Sequence, residues 1–275
     1  MSLGPPLSAA EAAVFDASVI PRYLAFFGSA AAEMVFPWAQ STIVNIGCRT
    51  GYVEPLLAER VPGATVVSVD PSPEALEIAR NKTSSLGALS VSHQVVDRLP
   101  MPLASDSFTH GLAVHPVVSA QERYALLAEL RRIVVVGGQA LVALPVRGSF
   151  PEIYDMLREY ALRQDLPNFG KAVEVAAASR PTIESLSEEF EKVGLGEVDV
   201  DVQLLGVSFN SGREFLEDPI AQFIVFPDTR ALLEVDSAAI DNAFRYVQDA
   251  ITKYWSEGTF ELTVNVGCAS GRRLA

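Results

Sequence analysis

The sequence predicts an α/β fold built on a seven-stranded sheet, mostly parallel, closed by antiparallel strands and covered by helices. Three observations predict it. Between Ser41 and Val146, short β-branched runs alternate with amphipathic stretches, and that alternation builds a parallel sheet with helices on both faces. Beyond Val146 the grammar changes: Val198, Val200, Val202 and Leu204 alternate with Asp199, Asp201 and Gln203, the mark of a strand with one wet face. Near the end, Phe260, Leu262, Val264 and Val266 repeat the same period.

Taken in order, Ala9 to Phe36 is Ala-rich and carries Phe15, Tyr23, Phe26 and Phe27. It reads as two helices broken at Pro21, which has no N–H to donate, and Pro37 closes it. Ser41–Ile46 is the first strand, Tyr52–Val61 a helix, Thr65–Val69 the second strand and Pro73–Leu86 a helix. Val91–Val96 and Phe108–Val114 are the third and fourth strands. Ala120–Val134 is a helix, and Gly137-Gly138 turns the chain into a fifth strand, Gln139–Val146. Ser149-Phe150-Pro151-Glu152 reads as a capping box, and Ile153, Leu157, Tyr160 and Ala161 form the buried stripe behind it. Thr182 caps another helix, with Ile183, Leu186, Phe190 and Val193 inward and Gly194 ending it. Ser208 to Thr229 reads as irregular and carries Phe209, Phe215, Phe223 and Phe226. A long amphipathic helix with Ile240, Phe244, Val247 and Ile251 precedes the last strand.

At 275 residues and 49% hydrophobic, the chain suits one domain over residues 1–275. Within it we expect an N-terminal helical cover at 1–38, a core at 39–146, and lid or substrate-side segments at 147–194 and 208–257. No apolar run reaches the roughly 20 residues that span a bilayer. Met1-Ser2-Leu3-Gly4-Pro5-Pro6 lacks the basic and apolar regions of a signal peptide. Cys48 and Cys268 lie far apart without metal-ligand spacing, so no metal is expected, and a reduced, cytoplasmic protein is. A net charge of −13 repels phosphate backbones, and no basic stripe offsets it, so neither nucleic acid nor membrane is an expected partner. The sequence does not distinguish a monomer from a homodimer.

Three elements carry chemistry. In Asn45-Ile46-Gly47-Cys48-Arg49-Thr50-Gly51, glycines at a strand-to-helix crossing let the backbone approach a ligand. The spacing lacks the G-x-G-x-x-G of a pyrophosphate site, which disfavours nicotinamide chemistry. Asp70, nineteen residues after Gly51, ends the second strand and can accept from both hydroxyls of a ribose. Alternatively it caps the next helix, a task Ser72 also suits. Asp97-Arg98-Leu99-Pro100 follows the third strand; its acid can accept from an adenine amino group while Leu99 covers a ring face, or the stretch is an ordinary polar loop.

Together, in this order, these stretches resemble the S-adenosylmethionine (SAM) dependent methyltransferases of class I, in particular the branch like the ubiquinone and menaquinone C-methyltransferases. That branch shows D-x-G-C-G-T-G, a strand-end acid, D-x-x-x-L-P-F leading to S-F-D, and R-V-L-K-P-G-G. The corresponding stretches here are Asn45–Gly51, Asp70, Asp97–Met101, Ser107-Phe108-Thr109 and Arg132 to Gly138. The resemblance covers residues 40 to 146 closely and implies a Rossmann-like methyltransferase sheet with a helical lid. It also implies SAM as cofactor, S-adenosylhomocysteine as product, and a cofactor site at Asn45, Gly47, Cys48, Arg49, Gly51, Asp70, Pro71, Asp97, Arg98 and Leu99. The departures are Asn45 for an acid, Arg49 for a glycine, Thr109 for an acid, and Val118-Ser119 for a frequent His pair.

Methyl transfer asks mainly for alignment and exclusion of water. An acceptor of high pKa also needs a base, for which His115, just past the fourth strand, is the candidate; packing is its other reading. His93 and His110 read as structural. Arg22, with Tyr23, can reach the SAM carboxylate from the N-terminal cover. Phe15, Tyr23, Phe27, Tyr154, Phe209 and Phe223 suit a flat or apolar small-molecule acceptor, or ordinary core. The expected activity is SAM-dependent methyl transfer to that acceptor; the alternative is a catalytically inactive SAM-fold binding protein.

Overall fold

The computed structural model describes residues 3–116 and 119–275. Seven strands form one sheet in the order β3-β2-β1-β4-β5-β7-β6. They are β1 (Thr42–Ile46), β2 (Thr65–Asp70), β3 (Ser90–Val95), β4 (Phe108–Val114), β5 (Val134–Pro145), β6 (Leu195–Phe209) and β7 (Phe260–Arg273). The pairs β1–β2, β1–β4, β2–β3 and β4–β5 are parallel, and the C-terminal strand enters antiparallel between β5 and β6. The order reverses at β1 and β4, so their carboxyl ends flank the crevice where such sheets take ligands.

Helices precede and separate the strands: α1 (Ala9–Val14), α2 (Ala25–Met34), α3 (Glu54–Arg60), α4 (Pro73–Thr83) and α5 (Ala120–Ile133). Between α1 and α2, Phe15–Leu24 continues as a π-helix that contains Pro21, so the expected break is absent. The wider turn relieves the clash of the proline ring with the preceding carbonyl, and the helix runs on. Ser8 and Ser119 start α1 and α5 with capping boxes to Glu11 and Glu122. Gly137 turns in the left-handed region at φ 77°, inside β5 rather than before it; the register slips there, Val134 opposing Phe108 and Gln139 opposing His110. β4 is buried along its whole length, whereas β3, at the sheet's edge, is mostly exposed or half-buried.

The chain divides into two compact units, residues 1–144, 183–202 and 267–275, and residues 145–182 and 203–266. In the first, Ile43, Val44, Val66, Leu112, Leu130 and Leu141 are fully enclosed. Each such side chain stabilises the fold by roughly 1.5–3 kcal/mol relative to exposure. Here α8 (Ile183–Lys192) turns Leu186 and Phe190 inward, while Ile183 is 47% exposed, against expectation. Its position at the start of the helix leaves it beyond the buried stripe.

The second unit holds α6 (Pro151–Arg163), α7 (Pro167–Ser179), α9 (Gly212–Glu217), α10 (Phe226–Leu232) and α11 (Ser237–Tyr254). The expected capping box at Ser149–Glu152 does not form. Phe150 is the N-cap, left-handed at φ 58°, and Ser149 Oγ donates to the Val146 carbonyl while accepting from Asn265 N–H. Glu152 accepts instead from Thr263 N–H, because β7 offers donors that outcompete the helix's own. The Ser208–Thr229 stretch is not irregular: it begins as the end of β6 and continues in short helices, and Phe209, Phe215 and Phe226 form a cluster in which Phe215 stacks on Phe260 at 4.4 Å. In β6 the alternation slips near residue 203, so Leu204 is 68% exposed while Val207 and Phe209 are buried.

Candidate functional site

The crossing from β1 to α3 is shaped by three consecutive devices. Gly47 at φ 69° donates its N–H to the Val69 carbonyl at 2.8 Å, and Cys48 N–H joins it at 3.1 Å. Arg49 is also left-handed, at φ 51°, a conformation costly for a side chain with Cβ. Its N–H donates to Asp70 Oδ2 at 2.9 Å, which fixes it there. Gly51, at φ 73°, closes the turn.

The two glycines meet different surroundings. A Cβ at Gly51 would come within 2.9 Å of Ala79 Cβ, so this glycine exists for contact with α4. A Cβ at Gly47 would meet nothing within 4 Å, so room stands in front of it.

On the same β1–α3 crossing, buried polar atoms lack partners: Asn45 Oδ1, Arg49 Nη1, Tyr52 Oη and Glu54 Oε2. Buried polar atoms are almost always hydrogen-bonded, so four without partners on one crossing are unusual. Asn45 Nδ2 donates to Glu54 Oε1 at 3.0 Å, as does Ser68 Oγ at 2.5 Å. An acid is therefore present beside β1, supplied by α3 rather than by position 45. Burial raises the Glu54 carboxyl above the usual range, and likewise raises the Cys48 thiol and Tyr52 phenol, keeping all three toward their neutral forms.

Asp70 is fully buried, its Oδ1 accepting from Ser72 N–H at 2.9 Å. It thus ties the Arg49 turn to the start of α4. Ser72 occupies the N-cap of α4 but does not cap with its side chain; Ser72 Oγ accepts from Leu7 N–H at 2.8 Å. Pro71 beside them is buried. Asp97 and Arg98 are exposed and paired at 3.6 Å, and Leu99 is half-buried. The Asp97 carbonyl accepts from Leu3 N–H at 2.9 Å. Residues 3–7 thus run as a strap from Asp97 to Ser72, and a Cβ at Gly4 would lie 3.3 Å from Arg49 Nη2. Arg49 points toward this strap and lies 5.9 Å from the centre of the Phe15 ring. Arg22 is exposed.

His115, after β4, is left-handed at φ 56° and 9% exposed. Its Nε2 is 3.1 Å from Tyr23 Oη, and the Tyr23 and Phe27 rings meet it edge-on at 5.3 and 4.8 Å. His110 is held by Thr109 Oγ1 and the Phe36 carbonyl, and Thr109 also bridges to Thr42. Val118 lies outside the described residues. Phe15, Tyr23, Phe27, Tyr154 and Phe209 are buried, with Phe223 half-buried.

Sequence reasoning missed Asp16 and Glu54, and gave Thr50 no role of its own within the Asn45–Gly51 stretch. Thr50 Oγ1 donates to Asp16 Oδ1 at 2.5 Å, and Lys82 pairs with the same carboxylate. The one available signal was an acid, Glu54, set between Val53 and Leu57 where a helix faces the sheet.

Residues 43–138 match the methyltransferase domain family. The chain is 27% identical over 161 residues to Methyltransferase GfsG of Streptomyces halstedii, covering 55% of this chain and 58% of that protein. It is 30% identical over 127 residues to the demethylmenaquinone methyltransferase of Thermus thermophilus, covering 45% and 57%. The chain thus spans little more than half the length of the curated relatives it matches. Among solved structures, the YcgJ protein of Bacillus subtilis superposes with a TM-score of 0.58 at 12% identity, over 91% of this chain and 99% of that one. The fold is therefore that of the class I methyltransferases, and residues 43–138 match the methyltransferase domain family.

Proposed function

We propose that the chain transfers a methyl group from SAM to a small-molecule acceptor, and that the β1–α3 turn holds the cofactor. The observation that carries this is a β1–α3 crossing with room before Gly47 and unpartnered buried atoms on Asn45, Arg49, Tyr52 and Glu54. SAM supplies an electrophilic methyl and an ammonium, a carboxylate and two ribose hydroxyls, a set that fits those donors and acceptors. Arg49 Nη1 suits the carboxylate as a charge-assisted donor. Glu54 and Asn45 offer oxygens to the ammonium, Asp70 keeps further lone pairs for the ribose, and Gly47, Cys48, Gly51 and Pro71 shape the wall. Asp97, Arg98 and Leu99, under the strap, border the adenine end, and Arg22 belongs to the helical cover. His115 is the candidate base. The Thermus match supports a quinone-like acceptor branch for the same site.

Titration calorimetry with SAM and with S-adenosylhomocysteine tests the cofactor assignment; both bind if it is right, and no heat from either sinks it. NADH fluorescence stays unchanged on mixing. The catalytically inactive alternative draws on Asn45, whose amide nitrogen is engaged by Glu54, and on the strained Arg49. Binding without turnover across a broad panel of acceptors would decide for it.

A further inference from the structure

The π-helical segment Phe15–Leu24 reaches both sides of the crevice. At its start, Phe15 and Asp16 hold Arg49 and Thr50 of the β1 turn; near its end, Tyr23 meets His115 after β4. Single π-turns concentrate at functional sites because they re-aim side chains that a regular helix would send elsewhere. Here the wider turn surrounds Pro21 and delivers the Tyr23 hydroxyl to an imidazole held in a strained, left-handed backbone. Strain of that kind persists where surrounding structure over-determines it, as the Ala143 carbonyl does by accepting His115 N–H at 2.7 Å.

We infer that Tyr23 is a positioning residue for His115, and that the pair restricts the acceptor to groups whose reacting atom sheds a proton: a hydroxyl, an ammonium or an acidic C–H. The inference rests on the methyl-transfer reading. In the step, the sulfonium C–S bond breaks with its electron pair left on sulfur, and the new bond forms from the acceptor atom to the methyl carbon. The acceptor's proton passes to the His115 imidazole, and the imidazolium donates Nε2–H to Tyr23 Oη across the 3.1 Å contact. It later returns the proton to solvent.

Water can do little for that imidazolium. Tyr23 and Phe27 from the N-terminal helices meet its ring edge-on, while the Ala143 carbonyl of β5 holds its backbone N–H. The Tyr23 hydroxyl oxygen, 3.1 Å from Nε2, supplies an acceptor that makes the cation tolerable. A ring that served only as packing would need aromatic edges and no hydroxyl.

Tyr23→Phe tests this, since it keeps the ring and its packing. The histidine Cε1–H signals are followed from pH 5 to 9 in protein saturated with S-adenosylhomocysteine, with His93 and His110 as internal controls for the fold. The expected result is a His115 midpoint lower by about half a pH unit or more, the controls unmoved. In parallel, methyl-tritiated SAM is offered with phenols, alcohols and amines; Tyr23→Phe and His115→Asn each lower kcat about tenfold or more with KM little changed. A His115 midpoint equal in both proteins overturns the inference, whatever the panel shows. Failure of S-adenosylhomocysteine to bind overturns the underlying reading instead, so the two failures are distinct.

Discussion

At the end of β1, Thr50 donates its hydroxyl to Asp16 and Lys82 joins the same carboxylate; at the end of β4, His115 meets one hydroxyl and two ring edges. Both turns place a non-glycine residue in the left-handed region, and both are gripped by one helical segment. The first grip is ionic and borders unpartnered polar atoms. The second is aromatic and nearly sealed. The difference suits two tasks: unpartnered polar groups at β1 fit the proposed polar ligand, while the ring wall at β4 lowers the dielectric around a titratable side chain.

The largest expected effect breaks the first turn outright. Gly51→Val adds a β-branched side chain against Ala79 in a left-handed backbone. We expect a loss of about 3 kcal/mol in urea unfolding. Next, Asp16→Ala removes the shared acceptor of Thr50 and Lys82, and is expected to cost about 2 kcal/mol while leaving His93 and His110 signals in place. A loss confined to experimental error would mean that the β1 grip does not support the turn. Gly47→Ala is the sharper probe, because its Cβ meets nothing in the protein. Stability falls by only about 1 kcal/mol, yet S-adenosylhomocysteine binds about tenfold more weakly by calorimetry. Unchanged affinity would remove the ligand from that room.

Glu54→Gln gives the smallest effect and a pH signature. Burial raises the Glu54 carboxyl, so the folded state holds its proton more tightly than the unfolded chain does. Its contribution is therefore full at low pH, below the unfolded carboxyl's pKa, and declines as pH rises through the folded one. The variant should match the native Tm near pH 4 and exceed it near pH 8. The opposite trend would show that a charged Glu54 stabilises the site.

Much of the fold could be read from the chain because period and punctuation agree where strands are buried. Phe108–Val114 coincides with β4, and Pro73 opens α4 as expected. The second unit was harder. α7 went unnoticed, although Phe169, Val173 and Ala176 are buried at helical spacing, because it lacks a capping side chain. The helices within 212–232 are short and crowded with phenylalanine, which blurs any period. For the site, loop residues were visible and their partners were not. Asp16 reaches Thr50 over 34 positions, Tyr23 reaches His115 over 92, and no local pattern encodes such pairings. Ser72 shows the reverse error: locally a helix cap, it is claimed by Leu7, 65 positions away.

That claim by Leu7 bears on timing rather than affinity. The strap from Leu3 to Leu7 is pinned at both ends by backbone donors and stiffened between them by Pro5 and Pro6. For a nucleoside held at the proposed site, release is expected to share a step with the local opening of those two bonds, each worth about 1 kcal/mol. Deuterium uptake at the Leu3 and Leu7 amides, compared with the off-rate of S-adenosylhomocysteine, checks that expectation. A chain that slows one will slow the other.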